Sequence, residues 1–212
     1  MLPLIFRKSQ LRVLCIGAHP DDIEIGCGGS ILRISKEFDT ETYWLVLSGN
    51  DIRKREAIQS AEKFLEKSKI MEIKSQNFKE NFFPYIGNII KAFFEELKDI
   101  SPDIIFTHCR HDLHQDHRLI SELTWNTFRD HLILEYEIPK YDGDFLTPNL
   151  YVNLSKEICE KKISLIISYF KSQVNKRWFD KETFWAILRL RGLESNSQTK
   201  YAEAFYSRKI RI

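Results

Sequence analysis

Residues 12–22 of the chain read RVLCIGAHPDD. The first seven of them form an almost uninterrupted apolar run, which predicts a β-strand that is buried on both faces. The run ends at His19 and Pro20, and proline stops a buried strand because it has no amide hydrogen to donate. Three glycines within residues 26–29 then predict a turn, followed by a helix over residues 30–36 whose start lies close to other backbone.

The rest of the first two thirds of the chain alternates strand patterns with helix patterns. Runs of β-branched and aromatic residues predict strands, and apolar residues three or four positions apart predict helices. The predicted strands cover residues 42–47, 70–73, 103–107 and 131–138, and the predicted helices cover 53–67, 86–97 and the region around 119–125. This order predicts an α/β fold, namely a Rossmann-like, doubly wound, mainly parallel sheet in the order 3-2-1-4-5 with helices on both faces.

The last third of the chain has a different pattern. Residues 141–144 and 147–149 favour turns, residues 150–154 predict an edge strand, and residues 155–170 predict a helix. Asp180 and Gly192 bracket a further helix as its N-cap and its C′ residue. We expect a single domain over residues 1–212, in which an α+β extension (141–212) packs on a core (1–140) and shapes the substrate pocket.

The composition is typical of a soluble globular protein. There are 32 basic and 30 acidic residues, which gives a net charge of +2, and 43% of the 212 residues are hydrophobic. The two signs of charge are interleaved, which argues against a nucleic-acid partner. The four cysteines show no CxxC spacing, which fits a reducing compartment, and no apolar segment reaches the length of about 20 residues that a transmembrane helix needs. We therefore expect a cytoplasmic protein without a transmembrane segment.

Five of the six histidines lie in two places, each directly after a predicted buried strand. The first is HPDD at residues 19–22, and the second is HDLHQDH at residues 111–117 with His108 just before it. In a sheet of order 3-2-1-4-5 the first and fourth strands are neighbours, and ligands bind in the crevice at their carboxyl ends. We expect the two blocks to meet in that crevice.

Histidine and aspartate side chains in this number predict a metal site. A catalytic divalent metal usually has three protein ligands and one position open to water, and nitrogen and oxygen ligands suit zinc. His19, Asp22 and His117 supply such a set, and Asp21 is then free to take a proton from a metal-activated water. The sequence lacks both a GxGxxG fingerprint after the first strand and a GxSxG elbow, so we expect neither a dinucleotide site nor a serine nucleophile.

The motifs AHPDDIE (18–24), GCGG (26–29) and HQDH (114–117) together resemble the LmbE / PIG-L family of zinc-dependent N-acetylglucosaminyl deacetylases. Weaker similarity extends over most of the chain, at residues 53–56, 102–107 and 201–205.

The resemblance implies one Zn²⁺ per chain, with another divalent metal such as Fe²⁺ as the alternative, held by the same three ligands. It implies that Asp21 is the general base. It also implies that His114 is a protonated imidazole, oriented by Asp116, which stabilises the oxyanion and donates to the leaving amine. The implied reaction is attack of metal-activated water on an acetamide carbonyl, which releases acetate from an N-acetylglucosamine-type sugar conjugate or precursor.

Several residues near the two blocks keep two interpretations. Arg53 matches a family position that faces substrate, but an arginine at a helix start is also commonly solvated. Glu24 matches the family pattern, but a carboxylate near a helix start is also ordinary helix electrostatics. Glu203 either helps to close the site or belongs to a packed terminal segment. The other polar residues of the second block are His108 and His111, which we expect near the metal or at the surface and not as ligands, and Asp112, whose role stays open.

The expected partner is an N-acetylated amino-sugar substrate, and the resemblance is compatible with a homo-oligomer. Two rival functions remain. One is a metal-dependent amidohydrolase that acts on a different N-acyl substrate. The other is a catalytically silent sugar-binding homologue that keeps the fold and the metal.

Overall fold

A computed structural model describes residues 4–210 and contains one seven-stranded sheet with helices packed against it. The strands are β1 (Gln10–Gly17), β2 (Asp39–Ser48), β3 (Lys69–Phe78), β4 (Ile104–His108), β5 (Leu132–Tyr136), β6 (Leu150–Leu154) and β7 (Tyr201–Tyr206). The helices are α1 (Asp22–Glu37), α2 (Asp51–Phe64), α3 (Gly87–Glu96), α4 (Gln115–Thr127), α5 (Lys156–Tyr169) and α6 (Lys181–Glu194). Short 3-10 helices lie at Phe83–Ile86, Leu97–Asp99 and Lys171–Gln173.

The strands lie in the order β3-β2-β1-β4-β5-β7-β6. The first five strands of this order are parallel, and β1 lies between β2 and β4, with Val13 opposite Ile104 and Cys15 opposite Phe106. The returning strand β7 pairs antiparallel with both β5 and β6. The predicted fold class and the order 3-2-1-4-5 are therefore confirmed, and the C-terminal extension continues the same sheet by two strands.

Alternate side chains of the central strands enter two separate hydrophobic cores. Val13 and Cys15 of β1 belong to the core shared with α1, α2, α5 and α6, whereas Leu14 and Ile16 belong to the core shared with α3 and α4. Both faces of the central strands β1 and β4 are covered, which is why these two strands are mainly apolar. Polar chemistry is thereby left to the edges of the sheet. Within residues 4–210, no helix combines the length and the apolar character that crossing a membrane requires.

Helix α1 begins earlier than the sequence predicts. The turn expected at the three glycines is wrong, because these residues lie inside a helix that starts at Asp22. The glycines allow close packing instead: a Cβ atom on Gly26 would lie 2.2 Å from the ring of Tyr136, and one on Gly29 would lie 2.5 Å from Leu154. Helix α1 therefore lies directly on β5 and β6, and its first turn is fixed at the carboxyl edge of the sheet.

The end of α6 is another helix boundary that the sequence mispredicts. Asp180 is the N-cap as predicted and accepts a hydrogen bond from the amide of Thr183 at 2.7 Å. Gly192 is not the residue after the helix, since α6 continues to Glu194. A Cβ atom on Gly192 would lie 2.1 Å from the carbonyl oxygen of Lys200. This glycine is needed where the helix touches the chain that enters β7.

A buried ion pair joins β7 to α1 and α5. The carboxylate of Glu203 accepts the amide hydrogens of Gly29 at 2.8 Å and Ser30 at 2.7 Å, and it lies 2.5 Å from the ammonium group of Lys162. Lys162 also donates to the carbonyl of Ile25 at 2.6 Å. Both charged side chains are buried. These contacts favour the packed terminal segment over closure of the site as the role of Glu203.

Candidate metal centre and active site

The two histidine blocks meet at the carboxyl ends of β1 and β4. His19 follows β1, and His117 lies in the first turn of α4, which follows β4. Nδ1 of His19 is 3.1 Å from Nε2 of His117, although the two residues are 98 positions apart in the chain. The strand order therefore brings the blocks together as the sequence predicts.

Three ligand atoms form a compact triangle at this point. Oδ2 of Asp22 lies 3.4 Å from Nδ1 of His19 and 3.6 Å from Nε2 of His117, and the two nitrogens are 3.1 Å apart. A tetrahedral zinc ion with bonds of about 2.0–2.1 Å needs ligand atoms about 3.3 Å apart. The three side chains are buried, and their atoms have the spacing of three corners of such a tetrahedron. The residues thus fit a zinc ion in both geometry and ligand type.

Each histidine of the triangle has a carboxylate on its other ring nitrogen. Oδ2 of Asp112 is 2.8 Å from Nδ1 of His117, and Oδ2 of Asp116 is 3.1 Å from Nε2 of His19. Carboxylates in this position fix the tautomer and the ring orientation of a metal-binding histidine. The ammonium group of Lys140 lies 3.1 Å from Asp112 and compensates its charge. Asp112, whose role the sequence leaves open, therefore supports His117.

The predicted contact between the carboxylate of Asp116 and His114 is wrong. The carboxylate of Asp116 is buried and accepts the amide hydrogens of Asn81 at 2.7 Å and Phe83 at 3.1 Å, in addition to its contact with His19. The backbone amide of Asp116 reaches His114 instead and donates to its Nδ1 at 3.2 Å. The reason is that His114 is the N-cap residue of α4, so its ring turns back onto the first turn of the helix.

This capping contact also determines which nitrogen of His114 carries a proton. Because Nδ1 accepts a hydrogen bond, the neutral ring has its proton on Nε2, which lies 3.2 Å from Oδ1 of Asn81. Burial lowers the pKa of His114, and the charge on His19 lowers it further. The protonated imidazole that the family resemblance implies is therefore disfavoured, and the neutral ring presents an N–H group beside the triangle.

Asp21 lies at the start of α1 in the left-handed region, with φ of 95°. Burial raises the pKa of Asp21 to about 7, although the Arg53 guanidinium 3.5 Å away favours the charged form. Among the described residues, Oδ2 of Asp21 has no hydrogen-bond partner. A buried carboxyl group with a pKa near neutrality is well suited to exchange a proton with a substrate or a water.

Arg53 is held at the edge of the site. Its guanidinium donates to the carbonyl of Pro20 at 2.8 Å and to Glu80 at 2.8 Å, and its side chain is 12% exposed. Arg53 is therefore not a freely solvated arginine at the start of α2. Arg53 lies beside Asp21, and its contact with substrate stays a prediction that rests on the resemblance.

The protonation of the triangle follows from its neighbours. Burial opposes the charge of Asp22, but the imidazoles of His117 and His108 hold its pKa well below the usual range. Burial also opposes the charge of His19, yet hydrogen bonds to Asp116 and Asp22 raise its pKa to about 10. The pKa of His117 falls to about 3 because of burial and repulsion from His108. A proton is thus held on His19 between two carboxylates, at the place that a metal cation would take.

Three other residues singled out in the sequence, His108, His111 and Glu24, differ in their surroundings. His108 is fully buried, and its Nε2 lies 2.9 Å from the amide nitrogen of Ala18 and 3.2 Å from Oδ2 of Asp22. Together with Asp22 and His117, His108 also forms a group of side chains close enough to hold a metal, so its expected place beside the metal and not as a ligand stays a prediction. His111 is exposed. Both carboxylate oxygens of Glu24 are buried without a partner among the described residues, and burial raises the pKa of Glu24 to about 8. Glu24 is therefore not an ordinary solvated carboxylate at the start of a helix.

Sequence reasoning misses Asn81 altogether. This residue follows β3, has a left-handed backbone with φ of 64°, and contacts both Asp116 and His114. The only general indication is its place, since turns at the carboxyl ends of parallel strands are where α/β folds place ligand contacts. The turn at residues 79–82 carries no recognisable motif, so nothing in the pattern distinguishes it from an ordinary loop.

Comparison with protein families finds a match over residues 14–128, more than half of the chain, to the family described as PIG-L, GlcNAc-PI de-N-acetylase. The matched range contains both histidine blocks. Among curated proteins, the chain is similar to the uncharacterized deacetylase YaiS of Escherichia coli strain K12. The two are 26% identical over 170 residues, which cover 75% of this chain and 90% of YaiS.

Two solved structures illustrate the fold relationship. The N,N′-diacetylchitobiose deacetylase of Pyrococcus horikoshii is 21% identical and matches with a TM-score of 0.69 over 92% of this chain and 83% of its own. GalB of Pseudomonas putida KT2440, a 4-carboxy-2-hydroxymuconate hydratase, is 14% identical and matches with a TM-score of 0.75 over 95% of this chain and 98% of its own. These likenesses show a shared fold, and the two names describe different reactions, so the chemistry has to be argued from the site.

Proposed function

The chain belongs to the PIG-L family of de-N-acetylases and is a hydrolytic N-deacetylase, and we propose that it uses one Zn²⁺ per chain to remove acetate from an N-acetylglucosamine-type sugar conjugate or precursor. The observation that carries the proposal is the triangle of His19, Asp22 and His117. Its edges of 3.1, 3.4 and 3.6 Å bracket the spacing of about 3.3 Å that a tetrahedral zinc site requires.

These three residues would hold the ion, and the buried carboxylates behind the two histidines would fix their rings. Zinc bound there would lower the pKa of a water molecule to about 7 and polarise the amide carbonyl of the substrate. All further steps in the proposal belong to side chains of the chain itself.

Asp21 is proposed as the group that moves the proton. Its pKa of about 7 lets it take a proton from the attacking water near neutral pH. Attack forms a C–O bond at the acetamide carbon. Breaking the C–N bond then leaves an amine that must gain a proton, and the protonated Asp21 returns the one that it took. Water and amide thus give acetic acid and a free amine, with no covalent enzyme intermediate.

His114 is proposed as the hydrogen-bond donor to the oxygen on which negative charge develops. Its neutral ring carries the proton on Nε2, because Nδ1 accepts the amide hydrogen of Asp116. A neutral imidazole gives a hydrogen bond but has no acidic proton for the amine, which is why Asp21 is assigned the transfer. Preorganised donors of this kind contribute about 10²–10³ in kcat.

The substrate class rests on the family and on Arg53. The matching family is described by a GlcNAc-bearing substrate, and the P. horikoshii neighbour is named for a disaccharide of the same amino sugar. Arg53 is proposed to meet the sugar, since its guanidinium lies beside Asp21 at the edge of the site. The extension at residues 141–212 is proposed to shape the pocket for whatever the sugar carries.

A metal analysis combined with an acetate-release screen tests the proposal. The substrates are N-acetylglucosamine, N,N′-diacetylchitobiose, their N-propionyl and N-butyryl counterparts, and acetamides that carry no sugar. We expect about one zinc per chain and acetate release from the N-acetyl sugars. Faster turnover of the longer acyl groups or of the acetamides without sugar would replace the proposal with a general amidohydrolase. Sugar binding by metal-loaded protein without any acetate release would identify a silent sugar-binding protein.

A further inference from the structure

Asn81 lies in a turn that is clamped to the start of α4. Its amide donates to Asp116 at 2.7 Å, the amide of Phe83 donates to the same carboxylate at 3.1 Å, and its carbonyl accepts from the side chain of Gln115 at 2.5 Å. The backbone of Asn81 has φ of 64°, a conformation that asparagine and glycine adopt more readily than other residues. These hydrogen bonds therefore fix the backbone position of Asn81, from which its exposed side chain extends.

The side chain of Asn81 meets the catalytic candidate His114. Oδ1 of Asn81 is 3.2 Å from Nε2 of His114, and the amide of Asp116 is 3.2 Å from Nδ1 of the same ring. The amide of Asp116 is a donor and Oδ1 of Asn81 is an acceptor, so together they select the His114 tautomer with the proton on Nε2. The ring is also stacked on His117 with centroids 4.5 Å apart. Asn81 and Asp116 thus define the rotation of the ring about this stack.

We propose that Asn81 is a positioning residue for the deacetylation: its side-chain carbonyl holds the N–H of His114 in the tautomer and direction from which it donates to the substrate oxygen. This inference rests on the proposed function, in which His114 is that donor. Asn81 acts through His114 and takes no part in proton transfer. When the substrate enters, its carbonyl oxygen shares this N–H with Oδ1 of Asn81, so the side chain of Asn81 still orients the ring during the reaction.

The test uses substitutions that keep the clamped backbone. Asn81→Gly removes the side-chain acceptor and tolerates a positive φ, whereas Asn81→Asp keeps an acceptor oxygen of the same shape. Asn196 is exposed and also has a positive φ, of 50°, so Asn196→Gly is the matched control for loss of an asparagine from this conformation. The zinc-loaded proteins are compared by steady-state acetate release and by ¹H–¹⁵N NMR of the histidine rings, which distinguishes the two tautomers.

For Asn81→Gly we expect kcat to fall about tenfold, equivalent to ~1.4 kcal/mol, with KM within about twofold and zinc content unchanged. The His114 signals should change from a single Nε2–H tautomer to a mixture. Asn81→Asp should keep kcat within about threefold of the parent, and Asn196→Gly should match the parent. An unchanged kcat and tautomer in Asn81→Gly, a change confined to KM, or an equal loss in Asn81→Asp would each overturn the proposal. If the parent protein releases no acetate, the proposed function fails, and the NMR comparison still decides whether Asn81 positions the ring.

Discussion

Replacing Asp116 by asparagine separates two accounts of this carboxylate. The sequence assigns it to His114 and hence to catalysis, whereas the structure places it on His19 and hence on the metal triangle. Its two oxygens serve three donors: Oδ2 accepts from the His19 ring at 3.1 Å and from the amide of Asn81 at 2.7 Å, and Oδ1 accepts from the amide of Phe83 at 3.1 Å.

The size of the effect follows from this arrangement. An asparagine side chain has one oxygen and one NH₂ group, so in either orientation the NH₂ group faces a donor that is buried and loses its acceptor. An unsatisfied buried donor costs about 1–3 kcal/mol, so we expect Asp116→Asn to lower the free energy of unfolding by about 2 kcal/mol. Loss of a carboxylate behind a metal-binding histidine weakens metal affinity by about 10–100-fold. With zinc at saturation, kcat should stay within about tenfold of the parent.

The assay combines a zinc competition titration against a chelator with urea unfolding and acetate release at saturating zinc. Glu122→Gln, an exposed charge removal on the same helix, is the control and should leave all three quantities unchanged. The reasoning is refuted if Asp116→Asn binds zinc as tightly as the parent while kcat falls by about 10² or more, because Asp116 would then act on catalysis through His114.

Three further substitutions test other parts of the account. Asp21→Asn keeps a residue that tolerates the φ of 95° and should lower kcat by about 10² or more with zinc content unchanged, as measured by acetate release and elemental analysis; loss of zinc would make Asp21 a ligand. Glu24→Gln should become increasingly stabilising relative to the parent between about pH 5 and pH 8. The folded chain keeps the Glu24 proton up to a pKa of about 8, whereas the unfolded chain releases it near 4.5, so the parent loses stability as pH rises; parallel urea-unfolding curves across this range would contradict that pKa. Lys162→Met should lower the free energy of unfolding by about 3 kcal/mol, because the Glu203 carboxylate loses its cation, and Lys162→Met/Glu203→Gln should recover part of the loss; equal stability of Lys162→Met and the parent in urea would show that the ion pair contributes nothing.

The part of the fold that local patterns determine could be predicted from the sequence. Apolar runs without alternation mark strands covered on both faces, and the strand order then brings His19 and His117 together without any information on side chains. The turn predicted at the glycines of α1 is wrong because a glycine that permits close packing looks the same in sequence as one that permits a turn. Gly26 under the Tyr136 ring is such a case, since its partner lies more than a hundred residues away in the chain.

The finer assignments at the site could not be predicted, because a carboxylate gives no sign in sequence of which donor it will meet. Asp112 and Asp116 are both near His114 and His117 along the chain. Helix geometry and the capping role of His114 decide that one supports His117 and the other reaches across to His19. Asn81 enters the site through the turn after β3, and the position of that turn depends on the clamp by Asp116.

The central claim is that His19, Asp22 and His117 share a single metal ion. Crystals of zinc-loaded protein measured on both sides of the zinc absorption edge would locate the ion directly through its anomalous difference density. The account predicts one peak per chain at about 2.0–2.2 Å from Nδ1 of His19, Oδ2 of Asp22 and Nε2 of His117. A peak bound by His108 or His114 in place of any of these atoms, or no peak between the two histidine blocks, would contradict it.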